Sequence, residues 1–204
     1  MDIDVLVVQH GEKVRAAGDP GLTDIGHRQA DTVARWLAEH FSDVDAILAS
    51  PLRRAQETAA PIATVLGLPV KTDARLRERM NWGDDSRMGL DEFLAEWQRA
   101  TGDRSYQPLV GDSSIDAAER FIDALVALEQ HVKGVVVVAH GGVTVDALRT
   151  IAGDAAVSEG NGGLISDGVP SCAITRLRVA GGSVTVVDHP STDHLDQTTQ
   201  HRPG

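Results

Sequence analysis

The 204-residue chain has little of several features that mark common protein classes. It contains one cysteine, Cys172, which excludes an internal disulfide framework and a cysteine-rich zinc site, so a reducing cytoplasm is the expected compartment. Basic residues are few, with 19 Lys and Arg against 30 Asp and Glu, and the resulting net charge of −11 disfavours nucleic acid as a partner. Apolar runs stay well below the roughly 18 residues of a membrane span, and the first four residues are acidic where a signal peptide would be basic. Neither export nor a membrane partner is expected.

Two common nucleotide-cofactor fingerprints, Gly-x-Gly-x-x-Gly and Gly-x-x-x-x-Gly-Lys-Ser/Thr, are also missing. The composition is otherwise that of an ordinary globular protein, with 42% hydrophobic and 24% charged residues. Length and pattern predict one domain over residues 1–189, with an insertion or lid at about 79–111. Residues 190–204 are expected to form a polar, flexible tail.

Short β-branched runs alternate with helical patterns along the chain. The alternation predicts an α/β fold of three layers, α/β/α, with a mostly parallel central sheet. A C-terminal antiparallel hairpin is expected around Gly181 and Gly182, and residues 158–168 are expected to form a glycine-rich loop. The predicted strands are 3–8, 45–49, 68–70, 134–139, 172–179 and 183–187, and the predicted helices are 30–41, 52–66, 90–97, 112–131 and 144–152.

Two histidines lie at the ends of predicted strands. His10 ends the first strand and is followed by Gly11, and His140 ends the most apolar strand and is followed by Gly141. Ligands of parallel sheets bind beyond the carboxyl ends of the strands, and glycine allows the backbone N–H groups to approach an anion. The pair of strand ends therefore predicts a phosphate pocket, although either histidine alone is as often only a satisfied polar residue.

A third motif, Ser50–Ala59, opens the helix that follows the second strand. Ser50 is expected to cap this helix, with Pro51 in its first turn. Arg54 offers a planar cation for phosphate close to the helix N-terminal amides, whereas Arg53 suits a solvated helix face.

With these motifs in this order, the chain resembles the histidine phosphatase superfamily, also called the phosphoglycerate mutase-like family, from about Val5 to His194. In that family an Arg-His-Gly triplet ends the first strand, a Ser-x-Leu-x-Arg-Ala-x-x-Thr-Ala motif opens the second helix, an acidic residue follows a Leu-Arg pair, and a His-Gly pair ends a later strand. The corresponding segments here are 9–11, 50–59, 76–78 and 140–141.

The resemblance implies a phosphoglycerate mutase-like fold and a role for each matching residue. His10 would be the nucleophile that forms a phosphohistidine, Glu78 the proton donor, and His140 a stabiliser of the transferring group. No metal and no cofactor are implied. The implied phosphate-binding residues are Gln9, Gly11, Arg54 and Gly141.

The chain departs from the family pattern at Gln9, which stands where the family has arginine. Glutamine donates a hydrogen bond but carries no charge, so hydrolysis is expected to be weaker. The positive charge could be restored by Lys13, Arg15 or Arg53, although a surface role suits each of them. The assignment of the proton donor also stays open, since the acids Glu12, Asp84 and Asp85 lie nearby in the sequence.

The expected function is a metal-independent phosphomonoester hydrolase that acts on a small phosphorylated metabolite. Mutase activity is less favoured, because family mutases carry a longer insertion over the substrate. Two alternatives follow from Gln9. One is a catalytically inactive protein that binds a ligand, and the other uses His10 and Glu78 as acid and base on an unphosphorylated substrate. The sequence indicates neither the substrate nor the oligomeric state.

Overall fold

A six-stranded sheet forms the centre of the computed structural model, which describes residues 2–128, 132–160 and 163–196. The strands lie in the order β3-β2-β4-β1-β5-β6. The first four of these are parallel, and β5 and β6 are antiparallel to their neighbours. This topology confirms the predicted α/β class with a mostly parallel sheet. The strands are β1 (Ile3–Gln9), β2 (Val44–Ala49), β3 (Val70–Thr72), β4 (Gly134–Ala139), β5 (Ile174–Ala180) and β6 (Ser183–Ser191).

Helices cover both faces of the sheet, because the central strands present apolar side chains to both faces. On one face Val135 and Val137 of β4 pack with Phe121, and on the other Val136 and Val138 join a cluster with Ile62. The helices are α1 (Asp24–His40), α2 (Arg53–Leu66), α3 (Leu90–Gly102), α4 (Ser114–Val126), α5 (Gly141–Ala152), α6 (Asp154–Gly160), α7 (Leu164–Asp167) and α8 (Asp193–Asp196).

Two predictions about helices are corrected by the structure. Helix α5 begins at Gly141, directly after His140, and not near residue 144. The segment predicted as a glycine-rich loop at 158–168 contains the end of α6 and the whole of α7, while residues 161–162 lie outside the described part of the chain. Leu164 is buried in the core, which gives this short helix an apolar anchor that its composition does not suggest.

The predicted hairpin is confirmed, and Gly181 and Gly182 both adopt the positive φ that a tight turn requires. The predicted start of a flexible tail at residue 190 is corrected. Strand β6 continues to Ser191, and α8 follows it. His194 is buried, with its ring 5.2 Å from that of Trp36. Packing against an aromatic side chain thus extends the ordered fold to residue 196, and the rest of the expected tail, 197–204, lies outside the described residues.

Among the residues described, no helix combines the length and the hydrophobicity that a membrane-spanning segment needs. Cys172 is buried directly before β5, and its backbone N–H donates to the carbonyl of His10 at 3.3 Å. Burial raises the pKa of its thiol to about 12.

Candidate active site

The two histidines lie side by side because their strands are parallel neighbours in register. Gln9 of β1 is paired with Ala139 of β4, so the next residue of each chain segment, His10 and His140, leaves the sheet at the same level. Their ring centroids are 5.2 Å apart in an edge-to-face arrangement. The structure therefore brings the ends of the two strands together, as predicted.

His10 is held as a neutral imidazole with a defined tautomer. Its Nδ1 atom lies 2.7 Å from the carbonyl oxygen of Gly11, which can only accept, so Nδ1 carries the hydrogen and Nε2 carries the lone pair. Burial, the positive charge of Arg54 and, to a smaller extent, that of Lys13 lower the pKa of His10 to about 3. The side chain thus presents an unprotonated nitrogen at neutral pH.

Arg54 lies directly against that nitrogen. Its side chain is 3% exposed, and its Nε donates to Nε2 of His10 at 3.2 Å. The orientation of the guanidinium is set from the other side, where Nη1 donates to Oδ1 of Asn81 at 3.2 Å and lies 4.0 Å from Oδ1 of Asp19. A buried cation therefore faces the lone pair of His10.

His140 is completely buried, and its Nε2 atom lies 2.7 Å from the hydroxyl of Ser50. The Ser50 oxygen also accepts the N–H of Leu52 at 3.3 Å. The second ring nitrogen of His140, Nδ1, has no partner among the described residues. Burial and the charge of Arg54 hold the pKa of His140 well below its ordinary value.

The predicted role of Ser50 is corrected by this contact. Leu52, not Ser50, is the residue that caps α2, and it makes no side-chain capping bond. Asp19 compensates from another segment, because its carboxylate accepts the backbone N–H of Arg53 at 2.9 Å. Ser50 is thereby free to position His140.

Gly11 has a packing role in place of the predicted N–H contact with phosphate. Its N–H donates to the hydroxyl of Thr58 at 3.0 Å and is not available to an anion. A Cβ atom at Gly11 would lie 2.6 Å from the carbonyl oxygen of Gly26, so only glycine allows α1 to approach the strand end this closely. Gly141, in contrast, begins α5 beside the Gln9 amide. A Cβ atom at Gly141 would lie 3.7 Å from Gln9 Nε2.

Gln9 is buried next to these groups, and no described residue donates to its Oε1 atom. An unpaired buried polar atom is costly, so the amide is expected to have a ligand as its partner. Gln9 is thus buried at the same strand end that leads to His10, beside Gly141.

Glu78 lies over the first turn of α5. Its carboxylate accepts the backbone N–H groups of Gly142 at 2.9 Å and Val143 at 2.8 Å, and that of its neighbour Arg79 at 2.8 Å. A carboxylate offers about four lone-pair sites, so one stays available for a substrate. The Glu78 carboxylate thus lies at the first turn of α5, the helix that begins directly after His140.

The carboxylates of the other three acids have hydrogen-bond partners outside α5. Glu12 accepts from the hydroxyl of Thr23 at 2.8 Å, and Asp85 pairs with exposed Arg87, whose hydrogen bonds lower the pKa of Asp85 to about 2. Asp84 accepts from Asn81, the same residue that orients Arg54. Of the four candidates, Glu78 is the one bound to the helix that begins beside His140.

The predicted insertion, residues 79–111, covers this side of the site. Trp97 of α3 lies so close to α5 that a Cβ at Gly142 would be 2.5 Å from its ring. The guanidinium of Arg79 stacks 4.2 Å above the same ring and forms a buried ion pair with Asp146 of α5, with Nη1 3.0 Å from Oδ1. The insertion is therefore fixed to α5 through charge and aromatic contacts.

Removing the Asp146 carboxylate is expected to destabilise the fold strongly. Arg79 and Asp146 are 2% and 1% exposed, so Asp146→Ala leaves an unpaired buried guanidinium, which costs about 3–5 kcal/mol of unfolding free energy. Asp85→Ala is the matched control, since Asp85 also pairs with an arginine but that arginine, Arg87, is 88% exposed, and the loss of this pair should change the free energy of unfolding very little. Urea unfolding of both variants measures the difference, and equal small losses would contradict the argument.

The fold and the paired histidines are typical of one class of protein, and comparison of the chain with known protein families identifies that class. The sequence profile of the histidine phosphatase superfamily (branch 1) matches residues 5–192, and the chain belongs to this family. An uncharacterized protein of Mycobacterium tuberculosis is 37% identical over 136 residues, which is 61% of this chain and 65% of that protein. The chain therefore spans just under two thirds of that relative.

Two further proteins are similar along nearly the whole chain. "Probable phosphoglycerate mutase GpmB" of Erwinia tasmaniensis is 28% identical over 208 residues, covering 95% of this chain and 88% of that protein. The mycobacterial glucosyl-3-phosphoglycerate phosphatase, solved in complex with VO3, is 27% identical with a TM-score of 0.67, covering 92% of this chain and 98% of that one. Phosphatases and mutases both occur among the relatives, so phosphoryl transfer is the chemistry that they share.

Sequence reasoning predicted the two histidines, Arg54 and Glu78 as site residues, but missed several residues that position them. Asn81 and Asp19 orient Arg54, and the Thr58 hydroxyl accepts the N–H of Gly11. Thr58 lies in the 50–59 motif, which offered a usable signal. Asn81 lies in a segment without periodicity, and nothing in the sequence marks it.

Proposed function

We propose that the chain is a phosphomonoester hydrolase that transfers the phosphoryl group to His10 without a metal ion. The observation that carries the proposal is the neutral Nε2 of His10, whose lone pair faces the buried guanidinium of Arg54. A nucleophile with this tautomer needs no general base, and the cation beside it draws an anionic group to the same point.

The reaction proceeds in two displacements. His10 Nε2 attacks phosphorus while the bond to the leaving oxygen breaks, and Glu78 supplies the proton to that oxygen. Glu78 then takes a proton from water, which attacks the phosphohistidine, breaks the P–N bond and releases inorganic phosphate. Arg54 donates to the phosphoryl oxygens in both steps, and so does His140, which places its proton on the unpartnered Nδ1 while the Ser50 hydroxyl donates to Nε2.

Hydrolysis is favoured over mutase transfer because the segment that covers the site is short. Its one helix, α3, is tied to α5 by Arg79 and Trp97. We expect so short a segment to let water reach the phosphohistidine. We propose a small phosphorylated metabolite as the substrate and the cytoplasm as the compartment. The net charge of −11 argues against a polyanionic substrate such as nucleic acid, and the buried free thiol of Cys172 supports a reducing compartment.

A second candidate function is favoured by Gln9 alone. A neutral amide in place of a guanidinium suits a protein that binds its ligand without hydrolysis, or that uses His10 and Glu78 on an unphosphorylated substrate. The amide oxygen of Gln9 is an acceptor without a partner, which a hydroxyl or an N–H of such a ligand would satisfy.

Trapping the covalent intermediate tests the proposal. The protein is incubated with p-nitrophenyl phosphate, quenched in alkali and digested, and the phosphate on each peptide is located by mass spectrometry. Acid-labile phosphate on the peptide that contains His10 is the expected result. Binding of the ester with neither turnover nor phosphohistidine would favour the second candidate, and turnover without any phosphohistidine would contradict the role of His10 as nucleophile.

Chelation is expected to leave the activity unchanged. Arg54, His140 and the neutral nitrogen of His10 supply the charge and the nucleophile for which other phosphatases use metal ions. Turnover of p-nitrophenyl phosphate measured before and after prolonged dialysis against EDTA should agree within error. Loss of turnover that returns with Mg²⁺ or Zn²⁺ would show that the proposed mechanism is wrong.

A further inference from the structure

No helix or strand fixes the stretch of backbone that carries Glu78. A short 3₁₀-helix, Ala74–Leu76, ends just before it, and residues 77–89, all of them described, form neither helix nor strand. The backbone carbonyls of this stretch need hydrogen-bond partners from elsewhere, because an unpaired buried carbonyl is costly. The position of the Glu78 carboxylate therefore depends on contacts made by other parts of the chain.

Arg120 of α4 supplies partners for this backbone. Its Nη1 atom donates to the carbonyl of Arg75 and, at 2.8 Å, to that of Arg77, and its Nη2 atom donates to the carbonyl of Glu78 at 3.2 Å. A guanidinium has five N–H groups in a rigid fork, which allows one side chain to hold several carbonyls. One residue of α4 thus holds the backbone on the N-terminal side of Glu78 and at Glu78 itself.

Arg120 is in turn held by Asp112. Its Nε atom donates to the Asp112 carboxylate at 2.8 Å, and the backbone N–H of Asp112 donates to the carbonyl of Arg79 at 2.9 Å. Gly111 lies so close that an added Cβ atom would clash with the same Arg79 carbonyl, and its φ of 81° favours glycine. Arg120 and Asp112 together therefore hold the carbonyls on both sides of the Glu78 side chain.

The Glu78 carboxylate depends on this support because its own contacts are short. It accepts the N–H groups of Gly142 at 2.9 Å and Val143 at 2.8 Å, in the first turn of α5. Hydrogen bonds from N–H to oxygen span only about 2.7–3.2 Å, so a backbone shift of about 1 Å is enough to break both.

We propose that Arg120 is a positioning residue that places the Glu78 carboxylate for proton transfer. The inference rests on the proposed function, in which Glu78 protonates the leaving oxygen and then takes a proton from water. Arg120 itself transfers no proton, since a guanidinium stays charged, and its contacts with three backbone carbonyls and Asp112 use four of its five N–H groups. It acts through Glu78.

Two esters of similar shape separate proton donation from binding. p-Nitrophenyl phosphate releases a phenol that is acidic enough to leave as its anion, whereas phenyl phosphate releases a weaker acid that depends on a proton from the enzyme. The ratio kcat/KM covers the steps up to departure of the leaving group, so hydrolysis of the phosphohistidine does not enter it. Arg120→Met is expected to lower kcat/KM by roughly 30- to 100-fold for phenyl phosphate and by less than about threefold for p-nitrophenyl phosphate.

Arg149→Met is the matched control. Arg149 of α5 is 5% exposed, and like Arg120 it donates through Nε to a carboxylate, that of Asp154 at 2.9 Å, and through Nη1 to a backbone carbonyl, that of Thr101 at 2.9 Å. These contacts do not involve the backbone around Glu78, so this variant should lower kcat/KM for the two esters by the same factor. The same lack of selectivity in Arg120→Met would overturn the inference, because it would show a structural role alone.

Asp112→Ala covers the case in which Arg120→Met does not fold. It removes the carboxylate that holds Arg120 but keeps the backbone N–H on the Arg79 carbonyl, and the Asp112 side chain is 42% exposed. We expect the same preference between the esters with a smaller loss, roughly five- to tenfold for phenyl phosphate. Equal losses for both esters in this variant also count against the inference.

Glu78→Gln is the reference for a missing proton donor, because it keeps the shape of the side chain. Adding Arg120→Met to it should lower kcat/KM for phenyl phosphate by less than about a further threefold, since a residue that acts through Glu78 has little effect once the carboxylate is gone. Losses that multiply in the double variant would contradict the inference.

Amide hydrogen exchange keeps the test independent of turnover. The N–H groups of Gly142 and Val143 have no acceptor within their own helix and are protected by Glu78. Their exchange, followed by NMR, should become faster by roughly tenfold or more in Arg120→Met and stay unchanged in Arg149→Met. If the parent protein hydrolyses neither ester, the proposed function fails, and faster exchange still supports the positioning of Glu78 by Arg120. If it hydrolyses both esters while Arg120→Met alters neither the exchange nor the preference between them, the function is supported and the inference is wrong.

Discussion

Replacing His10 by alanine is expected to lower the turnover of phosphomonoesters by roughly 10⁴-fold or more, because it removes the nucleophile of both proposed displacements. The fold should be preserved, since the ring makes its hydrogen bonds to its own neighbour Gly11 and to Arg54. Initial rates with p-nitrophenyl phosphate measure the loss, and urea unfolding checks the fold.

His27→Ala is the matched control for this variant. His27 lies on the exposed side of α1, with a side chain that is 54% exposed, so its removal should leave turnover within about twofold. A His10→Ala protein that folds and keeps more than a tenth of the parent turnover would remove His10 from the mechanism.

Replacing Gln9 by arginine is expected to raise phosphomonoester turnover by roughly tenfold or more. The guanidinium adds a bidentate, charge-assisted contact to the phosphoryl oxygens at a position where the amide oxygen of Gln9 has no partner among the described residues. The comparison is made with the same generic substrate, and the His10→Ala protein gives the background rate.

Gln9→Met separates the effect of charge from that of shape, because it keeps the length of the side chain and removes its polar atoms. This variant should not gain activity. The opposite outcome is that the turnover of Gln9→Arg stays at the rate of the His10→Ala protein, and that Gln9→Arg binds another ligand less tightly than the parent protein does. The pocket is then adapted to an unphosphorylated substrate, and the second candidate function is favoured.

The central sheet could be predicted from sequence because its strands are buried on both faces. Strand β4 has the predicted bounds, Gly134–Ala139, since an uninterrupted run of valines suits a strand with helices on both sides. The start of α5 could not be predicted from propensity. Gly141 and Gly142 are poor helix formers, and their place in the first turn is stabilised by the carboxylate of Glu78, which is distant in sequence.

The same limit applies to the site. Two histidines at the ends of parallel strands could be expected to meet, because parallel strands end at the same edge of the sheet. The contacts that define their protonation could not be derived in this way. Ser50 reaches His140 across 90 residues of sequence and Thr58 reaches Gly11 across 47, and pairs at such separations leave no periodic signal in a single chain.

The single buried thiol of Cys172 makes the stability of this protein measurable without any engineered label. A thiol reagent attacks the thiolate, and burial next to the His10 carbonyl keeps Cys172 in its thiol form and out of reach of solvent. Modification therefore proceeds only through molecules that have opened around β5, and its rate reports how often the strand beside His10 leaves the sheet. Mass spectrometry of one peptide thus follows opening motions at the histidine end of the sheet under native conditions.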